Sequence, residues 1–217
     1  MKLIVISSAN KFESELKVIP KLFDCGLETF HLRKPKFSFQ RMNEYLSLFP
    51  QEHLSRVIIH THHRLAIKYK LKGIHLTEKQ KRSRIKLLLK LKILKYLNPK
   101  ITITSSFHSL AEMVKDEENY NYIFLSPVFD SISKKDYKSA FAENVLIRSL
   151  SKTHHKVYAL GGIKIENIYK AKEFGFYGAA VLGSIWKGRK EPVEAFIEIR
   201  DACAEKKLNI MPMKVAI

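Results

Sequence analysis

"KVYALGGIKIENIYKA", residues 156–171, carries an apolar run, Val157 to Leu160, into two adjacent glycines and then into residues at helical spacing. Glycine tolerates positive φ, so Gly161 and Gly162 suit a tight turn. A bare backbone at that turn also admits a ligand closely. The start of a helix presents unpaired N–H groups and a partial positive charge, so an anion is the natural ligand there.

The same unit recurs along the chain. Short runs rich in Ile, Val and Phe appear as "LIVIS" (3–7), "TFHLR" (29–33), "RVIIH" (56–60), "GIHLT" (73–77), "ITITS" (101–105), "YIFLS" (122–126), "KVYAL" (156–160) and "AAVLG" (179–183). Helical periodicity fills 13–23, 39–48, 63–69, 83–97, 110–115, 144–150, 165–174 and 193–205. Strands alternating with helices pair in parallel through crossover helices. Eight of each within 217 residues predicts one (β/α)8 TIM barrel over 1–210, with 211–217 as a C-terminal tail. An open doubly wound sheet has the same alternation, but no G-x-G-x-x-G follows the first strand and no linker-like stretch divides the chain.

The composition is 46% apolar, ample for a core, with no uncharged apolar run long enough to cross a membrane. The start "MKLIVISSAN" reads as a strand rather than a signal peptide, and Cys25 and Cys203 match no metal or redox spacing. Both points suggest a cytoplasmic protein. Lys plus Arg total 39 against 21 Asp plus Glu, a net charge of +18, which favours anionic partners. Much of the excess lies in "EKQKRSRIKLLLKLKILKYLNPK", 78–100. There Ile85, Leu88, Leu89, Leu91 and Leu94 fall near a helical stripe, which predicts a helix on the core with Lys86, Lys90 and Lys92 solvated. Only Tyr96 interleaves with the basic residues, so a nucleic-acid stacking platform is not expected.

In such a barrel the working residues sit at the C-terminal strand ends. Those ends offer His31 and Arg33; His60 and Thr61, followed by His62 and His63; Thr77 and Glu78; Ser105, Ser106 and His108; the stretch "SPVFDSISKKDY" (126–137); Gly161 and Gly162; and Gly183 and Ser184. Barrels often bind phosphate after strands seven and eight, which makes the glycine pair a phosphate seat. Arg33 suits a bidentate anion contact. Lys134, flanked by hydroxyls, suits a lid over phosphate. His60, His62 and His63 lack the fixed helical spacing of a zinc motif. Ser109 and Glu112 fit a capping box at a helix start beside His108.

Seven segments, in order, resemble the thiamin phosphate synthases and their relatives, the thiazole tautomerases. "FHLRKPKFS" is similar to Q-x-R-x-K, "IIHTHHRLAI" stands at I-N-D-x-x-x-L-A, and "GIHLTEKQ" resembles G-V-H-L-G-Q-E-D. "SSFHSLAE" matches S-x-H-S, and "YIFLSPVFDSISKKDY" is similar to Y-x-x-x-G-P-x-x-x-T-x-T-K-K-D. "ALGGIKIENI" and "GFYGAAVLGSIW" resemble G-I-G-G-I-x-x-x-N and G-A-D-G-V-A-V-x-S-A-I.

The resemblance implies an enzyme of thiamin biosynthesis that couples hydroxymethylpyrimidine pyrophosphate to thiazole phosphate. Pyrophosphate leaves first, and the thiazole nitrogen attacks the pyrimidine cation. By the resemblance Arg33, Ser106, Ser131, Ser133 and Lys134 match the anion contacts, and Gly162 and Gly183 the second phosphate site. The catalytic candidates are thus Arg33, Lys134, His31 and Ser106, and the substrate-binding candidates His60, Thr61, His108, Ser131, Ser133, Gly161, Gly162, Gly183 and Ser184. The resemblance also implies a magnesium ion held by two aspartates, yet Thr61 and Gln80 stand at those positions. Glu78 and Asp136 are the nearby carboxylates. Other departures are His31 for the family glutamine, His60 for an asparagine, and Pro35 for a lysine, with Lys34 and Lys36 on either side. A tautomerase shares the histidine and the missing aspartates, but its catalytic histidine falls at Pro127 here. A thiazole phosphate isomerase using His31, His60 or His108, and a non-catalytic barrel binding a phosphorylated heterocycle or nucleic acid, are the alternatives.

Overall fold

The computed structural model describes residues 1–9, 13–81, 84–129 and 141–205. Eight parallel strands close on themselves in sequence order. They are β1 (Lys2–Ile6), β2 (Phe30–Leu32), β3 (Val57–Ile59), β4 (Gly73–Leu76), β5 (Thr102–Phe107), β6 (Tyr122–Leu125), β7 (Val157–Leu160) and β8 (Gly178–Val181). β1 pairs with both β2 and β8, which completes the (β/α)8 TIM barrel. Around it run α1 (Glu13–Asp24), α2 (Phe39–Ser47), α3 (Gln51–Leu54), α4 (Arg64–Lys68), α5 (Glu78–Lys81), α6 (Arg84–Leu97), α7 (Leu110–Lys115), α8 (Glu143–Lys152), α9 (Ile168–Glu173), α10 (Gly183–Trp186) and α11 (Pro192–Ala204). Among the described residues no helix is long and apolar enough to cross a membrane. The expected tail, 211–217, lies outside the described residues.

Alternation along each strand divides the core in two. Val5, Phe30, Leu32, Val57, Ile59, Ile74, Leu76, Ile123 and Leu125 belong to the large cluster that also holds the helix side chains. Ile4, Ile6, Ile58, Tyr122, Phe124, Tyr158 and Ala180 form a second, inner cluster. Successive strand side chains point to opposite faces, so the first set faces the helices and the second fills the barrel. His31, His75 and Thr104 share the inward parity of the second set and are buried.

The basic helix corrects the sequence expectation. In α6, Leu94 is buried while Leu87 and Leu91 pack against the core. Leu88 and Leu89 face solvent, at 45% and 62% exposure, with Ile93, Tyr96 and Leu97 also exposed. The packed stripe is therefore Leu87–Leu91–Leu94, an i, i+4, i+7 row. Lys92 is solvated as expected. Lys90 is not: it is half-buried, and its Nζ lies 2.6 Å from Nδ1 of His63. Burial lowers its pKa. The side chains of Ile85 and Lys86 lie outside the described residues.

Candidate functional site

A cavity of about 530 Å³ opens at the C-terminal ends of the strands. Every strand contributes. Its wall includes Arg33 after β2, His60 after β3, Thr77 and Glu78 after β4, Ser106 and His108 at β5, Ser126 after β6, Gly161 and Gly162 after β7, and Gly183 and Ser184 after β8. The cavity thus gathers most of the residues that the sequence offered at the strand ends. Ser131, Ser133, Lys134 and Asp136 lie outside the described residues. His31, Thr61 and Gln80 do not line it.

Among the described residues the wall carries one arginine and no lysine. Arg33 is exposed, and its guanidinium makes no ion pair or hydrogen bond among the described residues. Its backbone is fixed instead: its N–H donates to Ser7 Oγ at 2.8 Å, and that hydroxyl donates to the Arg33 carbonyl at 3.1 Å. A fixed backbone under a free head group suits anion capture. His108 donates from Nδ1 to the Ser126 carbonyl at 2.7 Å, which leaves Nε2 for a ligand. Ser109 caps α7, accepting from the Glu112 N–H. Lys34, beside Arg33, is unavailable to an anion because it is buried in an ion pair with Glu15.

The glycines follow β7 and β8. Gly161 has φ of 93° and Gly162 of 66°, both in the left-handed region. A Cβ on Gly161 would fall 2.9 Å from Pro127 Cα. The first glycine is thus required by close packing of the strand-six segment, and both line the cavity. Asn167 holds this turn in shape, donating to the Gly162 carbonyl at 2.8 Å and accepting from the Lys164 N–H at 2.9 Å. α10 is anchored by Trp186, whose Nε1 donates to the Ile6 carbonyl at 2.7 Å. At its start, Ser184 Oγ is buried with no partner among the described residues. Buried hydroxyls are normally hydrogen-bonded, so this one stands out on the cavity wall.

The floor consists of histidines. His31, fully buried below the cavity, lies 3.0 Å through Nδ1 from His60 Nε2, and 2.6 Å through Nε2 from the Tyr122 hydroxyl. His75 stacks on His60 at a centroid distance of 4.2 Å and meets Thr104 Oγ1 through Nδ1 at 2.9 Å. Burial holds His31 and His60 well below the usual imidazole range, with His75 the next influence on each. Burial, then His63, pushes His75 down to about 3. These rings are neutral at neutral pH. His62 and His63 turn elsewhere, to the Phe37 carbonyl and to Lys90. Sequence reasoning missed His75. Its signal was parity: it lies two residues after Gly73, at an inward position of β4.

The residues present do not fit the magnesium ion that the resemblance implies. Gln80 is committed locally, its Oε1 accepting from the Thr77 N–H at 2.9 Å and its Nε2 donating to the His60 carbonyl at 3.4 Å. Thr61 Oγ1 is buried and unpartnered among the described residues. Glu78, exposed, is the one carboxylate on the cavity wall among the described residues. Magnesium prefers a near-octahedral oxygen shell with one or two well-placed carboxylates.

Comparison with known proteins decides the family. Residues 3–185 match the thiamine monophosphate synthase family. The chain belongs to this family. A putative thiamine-phosphate synthase 2 of Aquifex aeolicus is 24% identical over 188 residues, covering 82% of this chain and 94% of that protein. A thiamine-phosphate synthase of Limosilactobacillus fermentum is 27% identical over 122 residues, 56% of this chain and 54% of that protein. The crystal structure of a thiamine phosphate pyrophosphorylase from Bacteroides thetaiotaomicron superimposes with a TM-score of 0.71 at 28% identity, covering 94% of this chain and 98% of that one. The family is one of enzymes, transferases of thiamin biosynthesis.

Proposed function

We propose that this protein is a thiamin-phosphate-synthase-type transferase that joins hydroxymethylpyrimidine pyrophosphate to thiazole phosphate. The observation that carries the reading is a single chamber with two anion seats. Arg33, Ser106 and His108, from the ends of β2 and β5, make one group on its wall; Gly162, Gly183 and Ser184, from the ends of β7 and β8, make the other. Two anionic substrates need two such seats.

In this reading Arg33 holds the departing pyrophosphate, where negative charge develops as the carbon–oxygen bond breaks. A preformed cation at that point stabilises the transition state more than the ground state. Ser106 and His108 Nε2 complete that seat. The Gly162 and Gly183 backbone and the Ser184 hydroxyl hold the thiazole phosphate, so that its nitrogen faces the pyrimidine carbon. Lys134, with Ser131 and Ser133, belongs to the pyrophosphate side by resemblance. The floor imidazoles are held neutral by burial. That counts against a tautomerase reading through His31 or His60, because strongly lowered imidazoles carry no proton to give near neutral pH and are weak bases.

The test is an assay of the purified protein with both precursors, following thiamin phosphate and released pyrophosphate across several divalent cations. Product formation supports the transferase reading, and no product with any cation sinks it. Arg33→Ala is expected to lower kcat/KM about 10²–10³-fold. An effect below about threefold would mean that Arg33 does not hold the leaving group.

The thiazole phosphate seat has its own test. Gly162→Val is unsuitable, because a β-branched residue at φ of 66° is strained whatever the ligand. Ser184→Asp places a carboxylate at the seat instead. It is expected to weaken thiazole phosphate binding at least tenfold, about 1.4 kcal/mol, by calorimetry. Wild-type affinity in a folded Ser184→Asp variant would move the phosphate elsewhere.

A further inference from the structure

We propose that His31, His60 and His75 form a binding site for a first-row transition-metal dication such as zinc or cobalt, with its open coordination position facing the substrate cavity. The site requires no particular reaction; it stands on the placement of three imidazoles.

That placement follows from the register. His31 on β2 pairs with Ile58 on β3, and Ile58 pairs with Gly73 on β4. Two residues beyond Ile58 is His60, and two beyond Gly73 is His75. A step of two keeps the same face, so all three histidines point into the barrel. One nitrogen from each lies within 4.8 Å of the other two. A tetrahedral zinc–imidazole site needs nitrogens about 3.3 Å apart, given bonds of about 2.0–2.1 Å. The His31–His60 pair is already at 3.0 Å. Closing His75 onto them needs at most about 1.5 Å, within reach of a side-chain rotation.

The outer shell is present for two of the three imidazoles. Metal-bound imidazoles usually hold their second nitrogen against an oxygen, which fixes the ring. His31 has the Tyr122 hydroxyl at Nε2, which leaves Nδ1 to coordinate. His75 has Thr104 Oγ1 at Nδ1, which leaves Nε2. His60 faces His31 through Nε2. The phenol of Tyr122 rotates its hydroxyl from donor to acceptor when His31 carries its proton on Nε2.

Three ligands leave a fourth position, as in catalytic rather than structural zinc sites. His60 and His75 line the cavity, so that position opens into it. No carboxylate belongs to the group. A dication bound there therefore keeps its positive charge and attracts an anion from the cavity. The all-nitrogen set also selects against magnesium, which prefers oxygen donors. The wall that fails as a magnesium site thus adjoins a floor suited to a different cation.

The experiment titrates chelator-stripped protein with Co²⁺ at neutral pH. One equivalent is expected to bind with a dissociation constant of about 1 μM or tighter and to give the intense visible absorption of tetrahedral cobalt. Zn²⁺ is expected to bleach the band, and excess Mg²⁺ to leave it unchanged. His75→Gln is expected to weaken Co²⁺ binding at least tenfold, while His154→Gln, at an exposed histidine, leaves it unchanged. If His75→Gln does not fold, pulsed EPR on the Cu²⁺-loaded wild type counts the ligands, and three coordinated imidazoles are expected. No tetrahedral band, full binding by folded His75→Gln, loss of the band in His154→Gln, or a count of one imidazole or none would each overturn the site.

Discussion

At pH 5 the metal-free protein should be less stable than at pH 7 by about 4 kcal/mol or more. The cause is burial of neutral imidazoles. Burial, then the Lys90 charge, pushes His63 down to about 4, and His75 is down to about 3. In the unfolded chain both return to the ordinary imidazole value of about 6.5. Between pH 6.5 and these folded values the unfolded state binds more protons. Stability is therefore intact above about pH 6.5 and is lost as the pH falls toward the folded values. Each group contributes about 2 kcal/mol between pH 7 and pH 5. His31 and His60 are lowered in the same direction and steepen the loss. Glu15 opposes it: burial raises its pKa against the pull of Lys34 and Tyr45, so it takes up a proton more readily folded than unfolded. One carboxyl does not offset four imidazoles. Urea titrations at pH 7 and pH 5 with a chelator present measure the difference. Equal or greater stability at pH 5 would mean that the histidine core tolerates charge.

The elements most legible in sequence were the strands. All eight apolar runs are strands, because parallel strands covered on both faces read as near-continuous apolar stretches. The long helices followed from their period, with ends shifted by a residue or two. The short α3, α5 and α10 were not foreseen, since four residues cannot display a helical period. The cavity wall was legible where topology alone decides position: the strand ends from Arg33 to Ser184. The floor was not. His31 reads as a strand-end residue, yet the hydrogen-bond register seats it one layer lower, under His60. His75 sits in "GIHL", where a histidine among apolar residues looks like a core oddity until the neighbouring strands are aligned. Lys90 and Lys34 share a further difficulty. A lysine in a basic sequence reads as solvated, and only tertiary contacts reveal the partner, His63 for one and Glu15 for the other.

Glu15→Ala should cost about 3–5 kcal/mol, because it removes the buried carboxylate that pairs with Lys34. The two side chains are 0% and 1% exposed and in direct contact. Glu15 also accepts from the Ser8 N–H at 2.6 Å and from the Tyr45 hydroxyl at 2.7 Å. Lys34 Nζ in turn donates to the Ser8 carbonyl. The network therefore ties α1, α2, the end of β1 and the segment after β2 together. Its consequence reaches the site, because Lys34 is covalently next to Arg33. Locking Lys34 inward fixes the backbone from which Arg33 turns out into the cavity. Glu15→Ala should accordingly lower kcat/KM as well as stability, even in a folded sample at low temperature. Replacing both charges, Glu15→Leu with Lys34→Met, should recover much of the stability, since a buried ion pair is worth little more than apolar residues of similar volume. The two changes separate charge burial from packing. A loss under about 1 kcal/mol in Glu15→Ala, by urea titration at pH 7, would mean that Lys34 reaches solvent or another partner at little cost. In that case Arg33 would owe its position to the Ser7 hydrogen bonds alone.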